Sequence, residues 1–283
     1  MGKRGTMEVL RVAGSVCRLW RKVATQEPVL WRRIDMSSHD YYRSDAFKLV
    51  DPARLAIDRS GGRLEEFAAA YFADDYLLRY LCDRTSILKK LNLISSGQLS
   101  AAAIAETAER QPLLEEIQIS CGPFSKKLTE ILGTACPHLK SFELYYTSYN
   151  MPPPDPDNEE EISNDDEAFG IAKTMHKLHH LQLIGNRLTN EGLTAILDGC
   201  PRLETLDIRG CFKVNIDADM YAAIRVCSSH HYGFVNFVMV DRTYQLGTTY
   251  LQQDFSNSVN FGSQSINQGF LGFVQDLKNC FTA

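Results

Sequence analysis

Apolar and polar positions alternate in a six-residue phrase, L-x-x-L-x-L, that recurs five times along the chain. It reads Leu88-Lys89-Lys90-Leu91-Asn92-Leu93, then again from Leu114 to Ile119, Leu139 to Leu144, Leu178 to Leu183 and Leu203 to Ile208. Its middle apolar residue stands at 91, 117, 142, 181 and 206, in steps of 26, 25, 39 and 25 residues. Inside the phrase the period is two, the pattern of a strand with one buried face. Between phrases the pattern turns helical, as in Ala101–Ala108, Leu128–Leu132 and Asn190–Leu197. One such unit cannot bury its own apolar face, so successive units must stack into a continuous core.

The predicted architecture is therefore an α/β leucine-rich-repeat solenoid, with parallel strands inside and helices outside. Cys136-Pro137-His138-Leu139 and Cys200-Pro201-Arg202-Leu203 each close a helix. Proline cannot continue the helix, and the small cysteine before it can tuck into the core. Asn186 and Cys211 fall where a repeat bends away from its strand. Weaker alternation in Ile34-Asp35-Met36 and Leu55-Ala56-Ile57 suggests two more strands upstream, with a helix from Leu64 to Arg84 between the second of them and the first full phrase. The array is placed at residues 37–225.

Charge refines this picture in two places. The 39-residue step contains Pro152-Pro153-Pro154 followed by eight acids and no base between Asp155 and Glu167. A segment of that composition cannot bury apolar surface, so 149–168 reads as a solvated acidic insertion into one repeat. Residues 1–36 hold eight Lys or Arg against three acids. The chain as a whole carries a net charge of −5, which gives no case for nucleic acid or an anionic membrane. No apolar run approaches the roughly 18 residues of a membrane span. Eight cysteines in 283 residues without a C-x-x-C pair read as reduced thiols, expected in the cytoplasm or nucleus.

Polar residues between the leucines should point to the concave face of the solenoid, the surface such arrays use for binding. The candidate partner-binding residues are Arg54 and Asp58, Lys90 and Asn92, Glu116 and Gln118, Glu143 and Tyr145, His180 and Gln182, and Asp207 and Arg209. His176, His179 and His180 do not converge, because adjacent strand residues point to opposite faces, so no metal site is expected. No phosphate loop, nucleophile elbow or paired carboxylates occur, and neither catalysis nor a cofactor is expected.

Before the array, Val12, Val16, Leu19, Trp20 and Val23 recur at helical spacing, and the chain's two tryptophans fall within about a dozen residues of each other. Val16-Cys17-Arg18-Leu19-Trp20-Arg21-Lys22-Val23-Ala24, followed by Pro28-Val29-Leu30-Trp31-Arg32-Arg33-Ile34-Asp35-Met36, resembles the second half of an F-box, as in plant F-box/leucine-rich-repeat proteins. The resemblance implies a non-catalytic substrate-recognition subunit of a Skp–cullin–F-box (SCF) ubiquitin ligase. The F-box would bind the Skp adaptor, and through it a cullin, while the repeats hold an unidentified protein substrate. By motif position Val16, Cys17, Trp20, Arg21 and Trp31 would form the F-box core and its adaptor-facing surface. The Leu-Pro segment and first helix that open an F-box have no counterpart in residues 1–11, so weakened adaptor binding is expected. The alternative is an adaptor-free repeat scaffold or decoy. Residues 1–36 are thus assigned to a partial helical F-box.

From Val226 to Ala283 only five residues are charged and no leucine phrase is found. This segment is expected to be an atypical, poorly ordered tail in which short strands such as Phe234–Val238 form locally.

Overall fold

The computed structural model describes residues 6, 10, 17–37, 47–95, 99–122, 124–146, 165–211, 213–215, 236–239 and 249–250. These belong to a unit spanning residues 1–251; a second unit, 252–283, lies outside the described residues, as do most of the tail and the acidic insertion up to residue 164. The elements run α1 (Arg18–Gln26), a 3-10 turn (Pro28–Trp31), β1 (Arg33–Met36), α2 (Val50–Arg59), β2 (Glu66–Ala70), α3 (Asp75–Cys82), β3 (Lys90–Ile94) and α4 (Ala101–Arg110). They continue with β4 (Glu116–Ser120), α5 (Lys126–Ala135), β5 (Ser141–Tyr145), α6 (Asp166–Thr174), β6 (His180–Ile184), α7 (Asn190–Gly199), β7 (Thr205–Asp207), β8 (Asn236–Met239) and β9 (Thr249–Tyr250). The nine strands form one sheet in sequence order. β1 to β8 are parallel, and β9 adds antiparallel to β8.

The sheet register follows the sequence phrase. Ile34, Phe67, Leu91, Ile117, Phe142, Leu181 and Leu206 align across consecutive strands, and all are buried. Removing each from water stabilises the stack by roughly 1.5–3 kcal/mol. Two further copies of the phrase are thereby revealed. Trp31, Ile34 and Met36 occupy the positions of Leu88, Leu91 and Leu93, and so do Leu64, Phe67 and Ala69; all six of these upstream residues are buried. The array's first strand, Arg33–Met36, thus lies inside the segment assigned to the amino-terminal helices.

Leu55-Ala56-Ile57 belongs to α2, not to a strand. Ala53, Ala56 and Ile57 are buried at three- and four-residue spacing, and Pro52 sits in the first turn, where its missing N–H costs nothing. Three alternating residues are too few to separate the two periods. The stretch from Leu64 to Arg84 is correspondingly not one helix but β2 followed by α3. Its run Ala68-Ala69-Ala70 has high helix propensity, and neighbouring strands override it.

Each turn of the solenoid repeats the same local devices. Asp74, Ser100, Ser125 and Thr189 cap α3, α4, α5 and α7, accepting a backbone N–H at 2.7–3.3 Å. Each cap stabilises its helix by about 1 kcal/mol. Gln111, Cys136, Met175 and Cys200 end α4 to α7 in equivalent buried positions. Gln111 is satisfied there: its amide nitrogen donates to the Thr85 carbonyl at 2.6 Å and its oxygen accepts from the Leu88 N–H at 3.2 Å. Burial pushes the Cys136 thiol up to about 12, so it acts as a small apolar side chain.

A second ladder runs just before the strands. Backbone N–H groups of Glu65, Lys89, Glu115, Lys140, His179 and Glu204 each donate to the carbonyl of the preceding member, beginning with Arg32, at 2.7–2.8 Å. The charged side chains in this column alternate in sign from Arg32 to Lys140. Arg32 meets Glu65 at 2.6 Å, Lys89 meets Glu65 at 3.5 Å and Lys140 meets Glu115 at 2.7 Å.

The end of the acidic insertion is structural. Asp165 is buried and accepts both the backbone N–H and the hydroxyl of Thr189, at 2.8 and 2.6 Å. Glu167 is half-buried, and desolvation pushes its carboxyl up. Downstream, β8 and β9 lie within the segment assigned to the tail. Phe237 aligns with Leu206, so Phe234-Val235-Asn236-Phe237-Val238-Met239 follows the phrase with Phe and Met in place of leucine.

Candidate functional site

Strand pleating sends alternate residues to the face of the sheet opposite the helices. On that face a groove of about 210 Å³ crosses β1 to β5. Its floor is the row Asp35, Ala68, Asn92, Gln118 and Glu143, which the register places side by side. Its flank is the row Arg33, Glu66, Lys90, Glu116 and Ser141. Here the bases pair with acids on the next strand: Arg33 with Glu66 at 3.1 Å, and Lys90 with Glu116 at 2.7 Å.

Farther along the same face, polar side chains bond to one another. The Tyr145 hydroxyl donates to the Gln182 amide oxygen at 2.8 Å and lies 3.2 Å from Glu143 Oε2, while Gln182 Nε2 donates to Glu143 Oε1 at 3.4 Å. Burial pushes the Glu143 carboxyl up, and the nearby Glu116 and Asp207 carboxylates add to it, against the Tyr145 hydroxyl, whose proton Glu143 shares with Gln182. Burial and Glu143 likewise raise Tyr145. Arg209 grips Asp207 through Nε at 2.8 and 2.9 Å, with both side chains only 12% exposed. His180 Nδ1 lies 2.8 Å from Thr205 Oγ1 on the next strand.

Lys90, Asn92, Glu116, Gln118, Glu143, Tyr145, His180, Gln182, Asp207 and Arg209 therefore share one face. Arg54 and Asp58 do not join them, because both belong to α2 in the helical layer. Asp58 accepts the Tyr80 hydroxyl at 2.8 Å and Arg84 Nε at 2.6 Å, and Arg54 stacks 5.3 Å from the Tyr80 ring. Burial pushes the Asp58 carboxyl up, but these hydrogen bonds outweigh it and hold the group below its usual value. This cluster braces α2 against α3. Arg33, Asp35, Glu66, Ala68 and Ser141 line the groove in addition, and the signal for most of them was the phrase at 31–36 and 64–69 with Trp, Phe and Ala standing for leucine.

At the amino end, Cys17 and Arg21 are exposed, Trp20 lies on α1 with only its backbone described, and Val16 lies outside the described residues. Trp31 is 2% exposed, which removes it from any adaptor-facing surface. Its indole Nε1 donates to the Ala24 carbonyl at 2.9 Å, and the Arg59 guanidinium stacks 5.2 Å from its ring. Trp31 fills the first-leucine position of the first repeat and ties α1 to the array. Val29 and Leu30 beside it are instead 56% and 52% exposed. Among the described residues no group of three His, Cys, Asp or Glu side chains could hold a metal ion, and no helix is long and apolar enough to cross a membrane.

Stacked strand–helix units with an open polar face define a leucine-rich-repeat solenoid. The comparisons narrow this class. Putative F-box/LRR-repeat protein 23 of Arabidopsis thaliana is 39% identical over 219 residues, covering 76% of this chain and 46% of its own length. F-box protein SKIP19 is 39% identical, covering 76% and 67%, and putative F-box/LRR-repeat protein 22 is 38% identical, covering 76% and 66%; both are from the same plant. The chain belongs to the plant F-box/LRR-repeat proteins. It spans about half the length of the first of these relatives. No family model matches it.

Proposed function

We propose that the chain is a non-catalytic substrate-recognition subunit of an SCF-type ubiquitin ligase, acting in the cytoplasm or nucleus. The open face of the sheet holds a target protein, and the amino-terminal helices dock on a Skp adaptor, which links to a cullin. What carries this reading is the continuity of α1 with the array. Through Trp31 and Ala24 the adaptor-side helix is held against the first repeat, so a target on the sheet has a fixed position relative to the ligase.

The second reading is an adaptor-free scaffold or decoy, in which α1 only caps the first repeat through the buried Trp31. Titration of the full chain with purified Skp adaptor by calorimetry separates the two. The receptor reading requires micromolar or tighter binding, lost on Trp20→Ala. Absence of binding at micromolar concentration would leave the decoy.

A further inference from the structure

The groove floor has one short side chain. Ala68 stands between Asp35 on β1 and Asn92 on β3, each directly beside it in the register, while the floor continues with Gln118 and Glu143. A methyl group between two longer polar side chains leaves a notch one strand wide. Adjacent strands lie about 4.8 Å apart, so the Asp35 and Asn92 backbones stand roughly 10 Å apart, a gap that their side chains narrow from either side of Ala68.

The charges around the notch are not balanced. Both bases that line the groove, Arg33 and Lys90, are already paired with Glu66 and Glu116. Asp35 has no basic partner among the described residues; its carboxylate accepts only the Ser37 N–H and hydroxyl, both at Oδ1. On the other wall, Asn92 Oδ1 is shielded from solvent and has no hydrogen-bond partner. A buried carbonyl oxygen without a donor is costly, and a ligand that brings one removes the cost. The notch therefore lacks a donor at one wall and a positive charge at the other.

We propose that the Ala68 notch receives a lysine or arginine side chain projecting from the bound protein partner. Its stem lies over the Ala68 methyl and its cationic head pairs with the Asp35 carboxylate, while a turn of the Asn92 side chain brings the shielded carbonyl oxygen onto the same head. This rests on the reading that the open face holds a protein. It adds that recognition is anchored by a basic residue in the target, read between the first and third strands.

The test uses the full chain with isotopically labelled alanine methyls and side-chain amides, titrated with blocked Gly-Ser-X-Ser-Gly peptides. With X as lysine or arginine, the Ala68 methyl and Asn92 side-chain amide signals should shift saturably; with norleucine or glutamate they should not. Asp35→Asn should weaken the lysine response at least fivefold, Ala68→Leu should remove it, and Asn92→Asp should tighten it. Unchanged methyl spectra elsewhere establish that the variants are folded. An equal or stronger response to norleucine or glutamate overturns the proposal, as does a lysine response that survives Ala68→Leu. The titration needs no adaptor, so loss of the ligase reading and loss of the notch are separate results.

Discussion

Asp165 and Thr189 join two consecutive helices: both carboxylate oxygens of Asp165, the residue before α6, bind the residue that caps α7. Asp75 holds Ser100 in the same way, accepting its N–H at 2.9 Å and its hydroxyl at 2.7 Å. The caps of α4 and α7 are thus held by the repeat before them.

Asp165→Ala should accordingly destabilise the chain by roughly 1.5–3 kcal/mol, the range for hydrogen bonds to a charged group. Urea unfolding of the variant and of Asp165→Asn checks this, with the asparagine variant recovering part of the loss. An unchanged midpoint in Asp165→Ala would refute the clamp.

Helical glycines set the spacing of the outer layer. A Cβ at Gly170 would collide with the Thr129 side chain and come 2.8 Å from the Lys126 carbonyl. Gly170→Ala should cost about 1–3 kcal/mol as overpacking. In the Thr129→Ala background the cost should shrink, which a double-mutant cycle of unfolding free energies measures.

Glu143 makes a pH prediction. Its folded-state value is raised, so between the ordinary carboxylate range and that raised value the folded chain binds more protons than the unfolded one. Its contribution to stability is therefore lost as pH rises through this window. Glu143→Gln abolishes the titration. The stability of this variant relative to wild type should grow from acid to neutral pH, as read by urea unfolding across that range. A constant difference contradicts the burial argument.

Trp31→Phe should loosen α1 while sparing the sheet. The indole shrinks to a phenyl ring and the Ala24 carbonyl loses its donor at 2.9 Å, together a loss of about 1–3 kcal/mol. Hydrogen exchange should rise in α1 and remain unchanged in β3 to β6. Equal protection of α1 in both proteins would detach Trp31 from the role given to it.

The repeat was legible wherever leucine filled it. From β3 onward the phrase marks every strand through β7, and its polar residues lie on the face expected for them. Upstream the same phrase is written with Trp31, Ile34 and Met36, and with Leu64, Phe67 and Ala69. Alanine is a strong helix former, and only the neighbouring strands hold it extended. Misplacing β2 also carried Arg54 and Asp58 to the wrong layer and hid Glu66 and Ala68, while Trp31 in the leucine position hid Arg33. The acids of the insertion show the converse limit. Composition marks the segment as solvated, yet Asp165 is buried because the next helix needs an acceptor there.

The column of alternating charge from Arg32 through Glu65, Lys89 and Glu115 to Lys140 makes the array count its own units in pairs. Excising the unit that carries Lys89 would set Glu65 against Glu115, like against like. Excising the units of both Lys89 and Glu115 would set Glu65 against Lys140 and restore attraction. These contacts are solvent-exposed, so the column would favour loss or duplication of repeats in twos over ones by at most about 1 kcal/mol, a parity bias carried by side chains that lie outside both the core and the groove.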